Sequence, residues 1–288
     1  MRSMRSGREQ GIGNREQGKE ILVKQRLDTL LVERQLCSSR QLAQRWIRAG
    51  EVRVNQQLVD KPGTAVAVDA EISVKPRSPF VSRGGEKLDK ALQVFPISVE
   101  NRVCLDGGIS TGGFTDCLLQ RGAQRVYGVD VGYGQVDWKL RQDDRVILKE
   151  RTNLRYLTPE QLYQADDPRP DLAVADVSFI SLAKVLPAIW NLLVSPRETL
   201  VLVKPQFEVG RSRVGKKGVV RNLGDRAAAI VQVRDAARGL GWCDRGLVTS
   251  PIQGPAGNVE YLLWLHEQGT PQLDNATIQT TVQGESTP

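Results

Sequence analysis

A single histidine in 288 residues leaves little room for histidine chemistry. Any Ser/His/Asp triad would have to use His266, and a His-rich metal site is excluded. The four cysteines, Cys37, Cys104, Cys117 and Cys243, form no CxxC pair. Their wide spacing fits buried thiols in a reducing cytosol, not a disulfide framework, so a cytoplasmic protein is expected. No run of 18 apolar residues occurs. The nearest candidate, Phe179 to Val194, is interrupted by Lys184, Pro187 and Asn191, so no membrane span is expected. The basic N-terminus is not followed by the apolar stretch of a signal peptide. Aromatic residues make up only 5% of the chain, which limits recognition by stacking; Phe114 and Phe207 are the candidates for it.

What is present is ordinary globular composition, 40% hydrophobic and 25% charged, in a chain long enough for one large domain or two smaller ones. Lys plus Arg is 40 against 33 for Asp plus Glu, a net charge of +7. That modest excess has the sign a nucleic acid attracts.

The chain divides by composition. In residues 1–22, Arg8-Glu9-Gln10-Gly11 returns as Arg15-Glu16-Gln17-Gly18 with almost nothing apolar between. Such a segment cannot bury enough surface to offset its ordering entropy, so it is expected to be disordered. Residues 23–75 read as a small α+β domain. Leu27, Leu30 and Leu31 have helical spacing. Ser38 or Ser39 can cap a second helix, with Leu42, Ala43, Trp46 and Ile47 on one arc and Arg40, Arg45 and Arg48 on the other, ended by Gly50. Short strand-like pieces follow at 52–54, 58–59, 66–68 and 72–74. Two prolines mark 76–82 as a linker.

From residue 83 the pattern changes. Leu88, Ala91, Leu92 and Phe95 make a helical stripe, and strand-like runs at 103–105, 126–129, 146–148, 172–175, 200–203, 247–248 and 261–265 alternate with helical stretches. This is an α/β pattern, a mostly parallel sheet with helices on both faces, extending to about residue 266. Residues 267–288 are polar and rich in Gln, Thr and Gly, and are expected to be a disordered tail.

In such sheets ligands bind beyond the carboxyl ends of the strands. The first run leads into Asp106-Gly107-Gly108-Ile109-Ser110-Thr111-Gly112-Gly113-Phe114. The glycine spacing does not match GxGxxG. Gly107 to Gly112 has phosphate-loop spacing, but Gly113 stands where that loop needs Lys. A glycine turn headed by an acid, without phosphate chemistry, suits a nucleoside carrying a charged amino-acid tail. Asp130, ending the second run, can accept from ribose hydroxyls, and S-adenosylmethionine fits such a pair. A purely structural turn in an α/β sheet would read the same way.

Several longer motifs carry a resemblance. Arg26-Leu27-Asp28, Ser39-Arg40-Gln41-Leu42-Ala43 and Gly50-Glu51-Val52-Arg53-Val54-Asn55 resemble an S4 RNA-binding domain. Val81-Ser82-Arg83-Gly84-Gly85-Glu86-Lys87-Leu88, the Asp106 turn, Glu150-Arg151-Thr152-Asn153, Asp176-Val177-Ser178-Phe179-Ile180-Ser181, Lys204-Pro205-Gln206-Phe207-Glu208 and Gly215 to Arg221 resemble the TlyA family. The resemblance spans about residues 22–266. It implies an S4 domain joined to an FtsJ-like, Rossmann-like class I methyltransferase domain. The activity implied is S-adenosylmethionine-dependent 2′-O-methylation of cytidine in ribosomal RNA, 16S and/or 23S, on the ribosomal subunits. Some members carry the label haemolysin. By motif, the family's Lys-Asp-Lys-Glu tetrad falls on Lys87, Asp176, Lys204 and Glu260. The cofactor site would comprise Asp106, Gly107, Gly108, Ser110, Gly112, Gly113, Phe114, Asp130, Asn153 and Asp176. No metal is implied.

The chemistry of the four residues agrees with this. A ribose 2′-hydroxyl is a poor nucleophile until its proton is drawn away, and an amine does that only when burial or a second cation lowers its pKa. Lys204 is the candidate base or hydroxyl-positioning group, with Lys87 tuning it and holding phosphate, and Asp176 and Glu260 orienting the ammonium groups. Taken singly, a Lys after a strand is usually solvated and an Asp ending one is often a cap; only their joint occurrence points to a site.

The arginine arc of the small domain, with Arg26, is the expected RNA footprint. Arg83 joins it from the second domain. So do Lys216 and Lys217, in a glycine-rich basic segment at 204–221 that reads as a mobile loop over the substrate. Three rivals remain: a pseudouridine synthase, since Arg26-Leu27-Asp28 imitates part of that motif; a non-catalytic RNA-binding ribosome-assembly factor; and a pore-forming haemolysin.

Overall fold

The computed structural model describes residues 23–75 and 78–284, which fall into two compact units meeting at residue 77. The expectations for residues 1–22 and for the last four residues lie outside the described residues.

The first unit holds β1 (Lys24–Arg26), α1 (Leu27–Glu33), α2 (Arg40–Arg48), β2 (Val52–Val54), β3 (Gln57–Leu58), β4 (Ala65–Ala67) and β5 (Ile72–Val74). β1 pairs with β4, and β2 lies between β3 and β5, all antiparallel. Ser39 caps α2, its hydroxyl accepting from the Leu42 amide at 3.3 Å. Gly50 follows the helix with φ +69°, a left-handed conformation that costs glycine least. Ala43, Trp46 and Ile47 are buried with Leu27, Leu30 and Leu31 of α1, so the apolar arcs of both helices form one small core. β1 was not legible in the sequence, because Lys24-Gln25-Arg26 has no apolar alternation.

The second unit runs α3 (Gly84–Val94), β6 (Val103–Gly107), α4 (Gly113–Gln120), β7 (Arg125–Val129), α5 (Trp138–Arg141), β8 (Val146–Lys149), α6 (Pro159–Leu162), β9 (Leu172–Ala175), α7 (Leu186–Leu192), β10 (Glu198–Val203), α8 (Pro205–Glu208), α9 (Leu223–Arg238), β11 (Cys243–Thr249), β12 (Tyr261–His266) and α10 (Asn275–Gln283). Each of the seven apolar runs is a strand of a single sheet, in the order β11-β12-β10-β9-β6-β7-β8. The strands from β6 to β10 are parallel, and β12 is antiparallel to both its neighbours. Successive side chains leave a strand on opposite faces. Thus Leu200 and Leu202 join Leu88, Phe114 and Leu118 under α3 and α4, while Val201 and Val203 join Ile189, Ile230 and Val233 under α7 and α9.

Two boundaries differ from expectation. Residues 78–82 belong to the second unit rather than to a free linker: the Val81 amide donates to Asp116 Oδ2 at 2.8 Å, and Phe80 packs on the α3–α4 core. The tail is not disordered through 267–284. Asp274 caps α10, and Leu273, Ile278 and Val282 are buried against α9, with Arg234 and Arg238 both donating to the Leu273 carbonyl. Three apolar residues on one face sufficed, too few to register against a polar composition. No described helix is long and apolar enough to cross a membrane.

Candidate active site

The edge of the sheet where the parallel strands end gathers residues from distant parts of the chain. Asp106 and Gly107 finish β6, Asp130 follows β7, Asp176 follows β9 and Lys204 follows β10. β12 runs the other way, so its start lies at this edge; Val203 pairs with Tyr261, and Glu260 is the next residue out. Lys87 reaches the same place from the first turn of α3.

There the four charged groups form one chain. Glu260 Oε2 accepts from Lys87 Nζ at 2.6 Å, Lys87 Nζ is 3.8 Å from Asp176 Oδ2, and Asp176 Oδ1 is 2.5 Å from Lys204 Nζ. Lys204 also donates to Ser178 Oγ at 2.8 Å. Both lysines are 8% exposed and Glu260 1%, whereas the Asp176 side chain keeps some access to solvent. Two buried ammoniums are balanced by two carboxylates, the arrangement in which buried charge is tolerated.

Two cavities flank this chain and share Gly108, Ser110 and Asp176. The first, about 230 Å³, is lined by Ser82, Arg83, Lys87, Thr111 and the 252–255 loop. The second, about 350 Å³, is lined by Asp130, Val131, Asn153, Val177, Phe179 and Ile180. The first is lined by polar and apolar groups alike, and the second is the more apolar of the two. Together they suit an elongated ligand with an amino-acid end and a nucleoside end.

The glycine turn is shaped by the protein's own packing. Gly108 has φ +89°, and a Cβ there would come within 2.7 Å of the Asp176 carbonyl; at Gly112, φ +97°, it would strike Leu140. Asp106 heads the turn but lines neither cavity. It is fully buried, its Oδ2 accepts from Thr115 Oγ1 at 2.7 Å, and its Oδ1 has no partner. Burial pushes the Asp106 carboxyl up to about 7, with the negative charges of Asp176 and Asp130 adding to the effect. Asp130 is held by backbone amides, Ser110 on Oδ2 at 2.8 Å and Gly132 on Oδ1 at 2.7 Å, leaving one lone pair per oxygen for a ligand. Asn153 lines the second cavity, its Oδ1 accepting from the Arg155 amide. Gly107, Gly113 and Phe114 complete the turn; Phe114 is mostly buried in the α3–α4 core and lines the first cavity.

The aromatic that sequence reasoning passed over is Phe179. It is 92% exposed, packs on Phe207 with ring centroids 5.2 Å apart, and holds φ +64°. Its only sequence signal was its position in the Asp176–Ser181 motif, where an apolar residue reads as core.

The basic positions fall into separate groups. Arg26 and Arg40 both bond the buried Asp28, each at 3.0 Å, and Gln44 adds a third bond at 2.8 Å. Burial opposes the charged form of Asp28, but these bonds outweigh it and hold the carboxyl well below its usual range. Arg45 and Arg48 are exposed and make no ion pair among the described residues. Arg83 stands at the mouth of the first cavity. Lys216 and Lys217 line a separate concavity of about 350 Å³ with Arg213 and Arg221. That segment is pinned rather than loose: Val209 and Val220 are buried against Ala229, and Asn258 bonds both the Val220 amide and the Gly218 carbonyl. His266 ends β12, far in sequence from any of these groups, and accepts from the Gln268 amide.

This sheet order, with one reversed strand and a charged cluster beyond the parallel strand ends, defines a methyltransferase. A model of FtsJ-like methyltransferases matches residues 80–267, and one of the S4 domain matches residues 25–72. The chain belongs to the TlyA family, whose members join these two parts. It is 50% identical over 245 residues to the 16S/23S rRNA (cytidine-2′-O)-methyltransferase TlyA of Mycobacterium tuberculosis, covering 84% of this chain and 90% of that one. It is 41% identical to Hemolysin A of Brachyspira hyodysenteriae, covering 82% and 98%. A solved structure from Streptococcus thermophilus, described as a "Putative hemolysin", superposes with a TM-score of 0.70 at 43% identity, covering 91% of this chain and 96% of that one.

Proposed function

We propose that this protein methylates the 2′-hydroxyl of cytidine in ribosomal RNA, using S-adenosylmethionine. The observation that carries the reading is the Glu260–Lys87–Asp176–Lys204 chain lying between two cavities that share Asp176. The relatives named for this activity supply the choice of cytidine and of ribosomal RNA.

The residues present fit the donor. Asp130 and Asn153, with Val131, Val177 and Ile180, hold the nucleoside in the larger cavity; Ser110 and Thr111 serve the amino-acid end. S-adenosylmethionine, when bound, supplies a methyl group already activated on a sulfonium. The protein therefore has to place a hydroxyl and remove its proton. Lys204 performs both. Asp176 and Ser178 fix two directions around its nitrogen, and the third faces substrate. For this step Lys204 enters as the neutral amine, its two N–H groups directed at Asp176 and Ser178; its lone pair accepts the hydroxyl proton, and Asp176 balances the ammonium that re-forms. Lys87, held by Glu260, keeps a positive charge at the same edge, where Arg83 also meets the RNA backbone. Phe179 offers an exposed face to a base taken out of its stack.

The S4 unit binds RNA through Arg45 and Arg48 with contributions from Arg26 and Arg40, and Lys216 and Lys217 grip phosphate. A cytoplasmic location goes with a ribosomal substrate. The test is methyl transfer from labelled S-adenosylmethionine to ribosomal subunits, followed by nucleoside analysis. Label on the ribose oxygen of cytidine is expected; label on bases alone would overturn the reaction class.

A further inference from the structure

Glu208 closes α8, four residues after Lys204. In the sequence it stands only as the last residue of the Lys204–Glu208 motif. In the structure it is buried, and among the described residues no Lys or Arg pairs with it. Burial pushes its carboxyl above the usual carboxylate range. A buried acid without a counter-cation is costly and calls for specific hydrogen bonds. Glu208 has two. Oε2 accepts from Ser181 Oγ at 2.6 Å, and Oε1 accepts from the Leu182 amide at 2.9 Å.

Those partners belong to the segment that carries Asp176, Ser178 and Phe179. The 176–182 segment is thus tied to the 204–208 segment at both ends. Lys204 holds it at Asp176 and Ser178, Glu208 holds it at Ser181 and Leu182, and the Phe179–Phe207 contact lies between. Phe179 has a left-handed backbone, φ +64°, with its ring in solvent. For a bulky residue that conformation is strained, and nothing about its own side-chain burial offsets the cost. It persists only if the surrounding bonds over-determine it.

We infer that Glu208 is a positioning residue: it clamps Ser181 and Leu182 so that Phe179 is presented beside the larger cavity and Ser178 stays on Lys204. The inference rests on the proposed reaction for its consequence, but the clamp itself is testable without activity.

The full-length chain is compared as wild type, Glu208→Ala and Glu208→Gln. Gln keeps an acceptor for the Leu182 amide and can donate to Ser181 Oγ, so it should rescue. Hydrogen exchange across 177–182 should rise at least tenfold in Glu208→Ala, with the strand amides unchanged, and return within about threefold of wild type in Glu208→Gln. Unchanged exchange in Glu208→Ala overturns the clamp, whether or not the protein transfers methyl groups. In the methylation assay, kcat should fall at least thirtyfold in Glu208→Ala while S-adenosylmethionine affinity stays within threefold. The double variant with Phe179→Ala should lose less than the product of the two single losses; fully multiplicative losses would show that Glu208 does not act through Phe179. A wild-type protein inactive on ribosomal RNA would sink the proposed function while the exchange result still decides the clamp. A Glu208→Ala protein whose strand amides also exchange faster has lost the fold, and in that case Ser181→Ala, which removes one of the two bonds, must raise exchange at 177–182 alone or the inference is wrong.

Discussion

Lys87 Nζ and Glu260 Oε2 lie 2.6 Å apart, although 173 residues separate them in the chain. The bond ties the helix that precedes the sheet to its reversed strand, next to the Asp176–Lys204 pair. Because both groups are almost wholly buried, each depends on the other for charge balance.

Removing one partner should therefore do more harm than removing both. Glu260→Ala leaves an ammonium buried beside one shared acid and should cost about 3 kcal/mol of stability. The double variant Lys87→Met, Glu260→Leu should recover most of that loss in denaturant melts while remaining inactive. A double variant less stable than Glu260→Ala would contradict the account.

Lys204→Ala should reduce methyl transfer by about a thousandfold, the middle of the range for a lost proton-transfer group. Cofactor affinity, measured by calorimetry, should change by less than about threefold, because Lys204 lines neither cavity. Near-normal turnover would remove Lys204 from its role.

Asp106 makes stability depend on pH. Its folded pKa, about 7, lies above the unfolded value, so between the two the folded chain binds a proton that the unfolded chain has released. Its contribution is complete below about pH 4 and is lost as pH rises toward 7. Asp106→Asn mimics the neutral acid and should flatten this part of the stability profile. A profile equally steep in the variant would mean that Asp106 is charged throughout.

In the small unit, Arg45→Ala with Arg48→Ala should weaken ribosomal RNA binding and lower its salt dependence by about one to two in log–log slope, without affecting cofactor binding. Arg40→Ala should differ in kind. It removes a bond from the buried Asp28 and should also destabilise the small unit, read as earlier thermal unfolding of that unit.

Much of the architecture was legible because burial has a period. Seven apolar runs became seven strands, and the apolar arcs of α1 and α2 became a core, since side-chain alternation and helical spacing are local properties of the chain. α10 escaped because three apolar residues set its position. Phe179 was not singled out because exposure of an aromatic is decided by backbone conformation, which composition does not encode.

The order of residues alone determined the two-part α/β organisation and the acid-headed glycine turn, and the family resemblance it carries pointed to the four charged groups. Their meeting was settled only by the fold. The crossing order of the strands and the reversal of β12 bring Glu260 to the edge where Asp176 and Lys204 end their strands, and α3 delivers Lys87 to the same edge. Local chain chemistry fixes which side chains exist and which elements they favour. Distances between charges far apart in sequence depend on how those elements pack, and so do the clamp at Glu208 and the burial of Asp106.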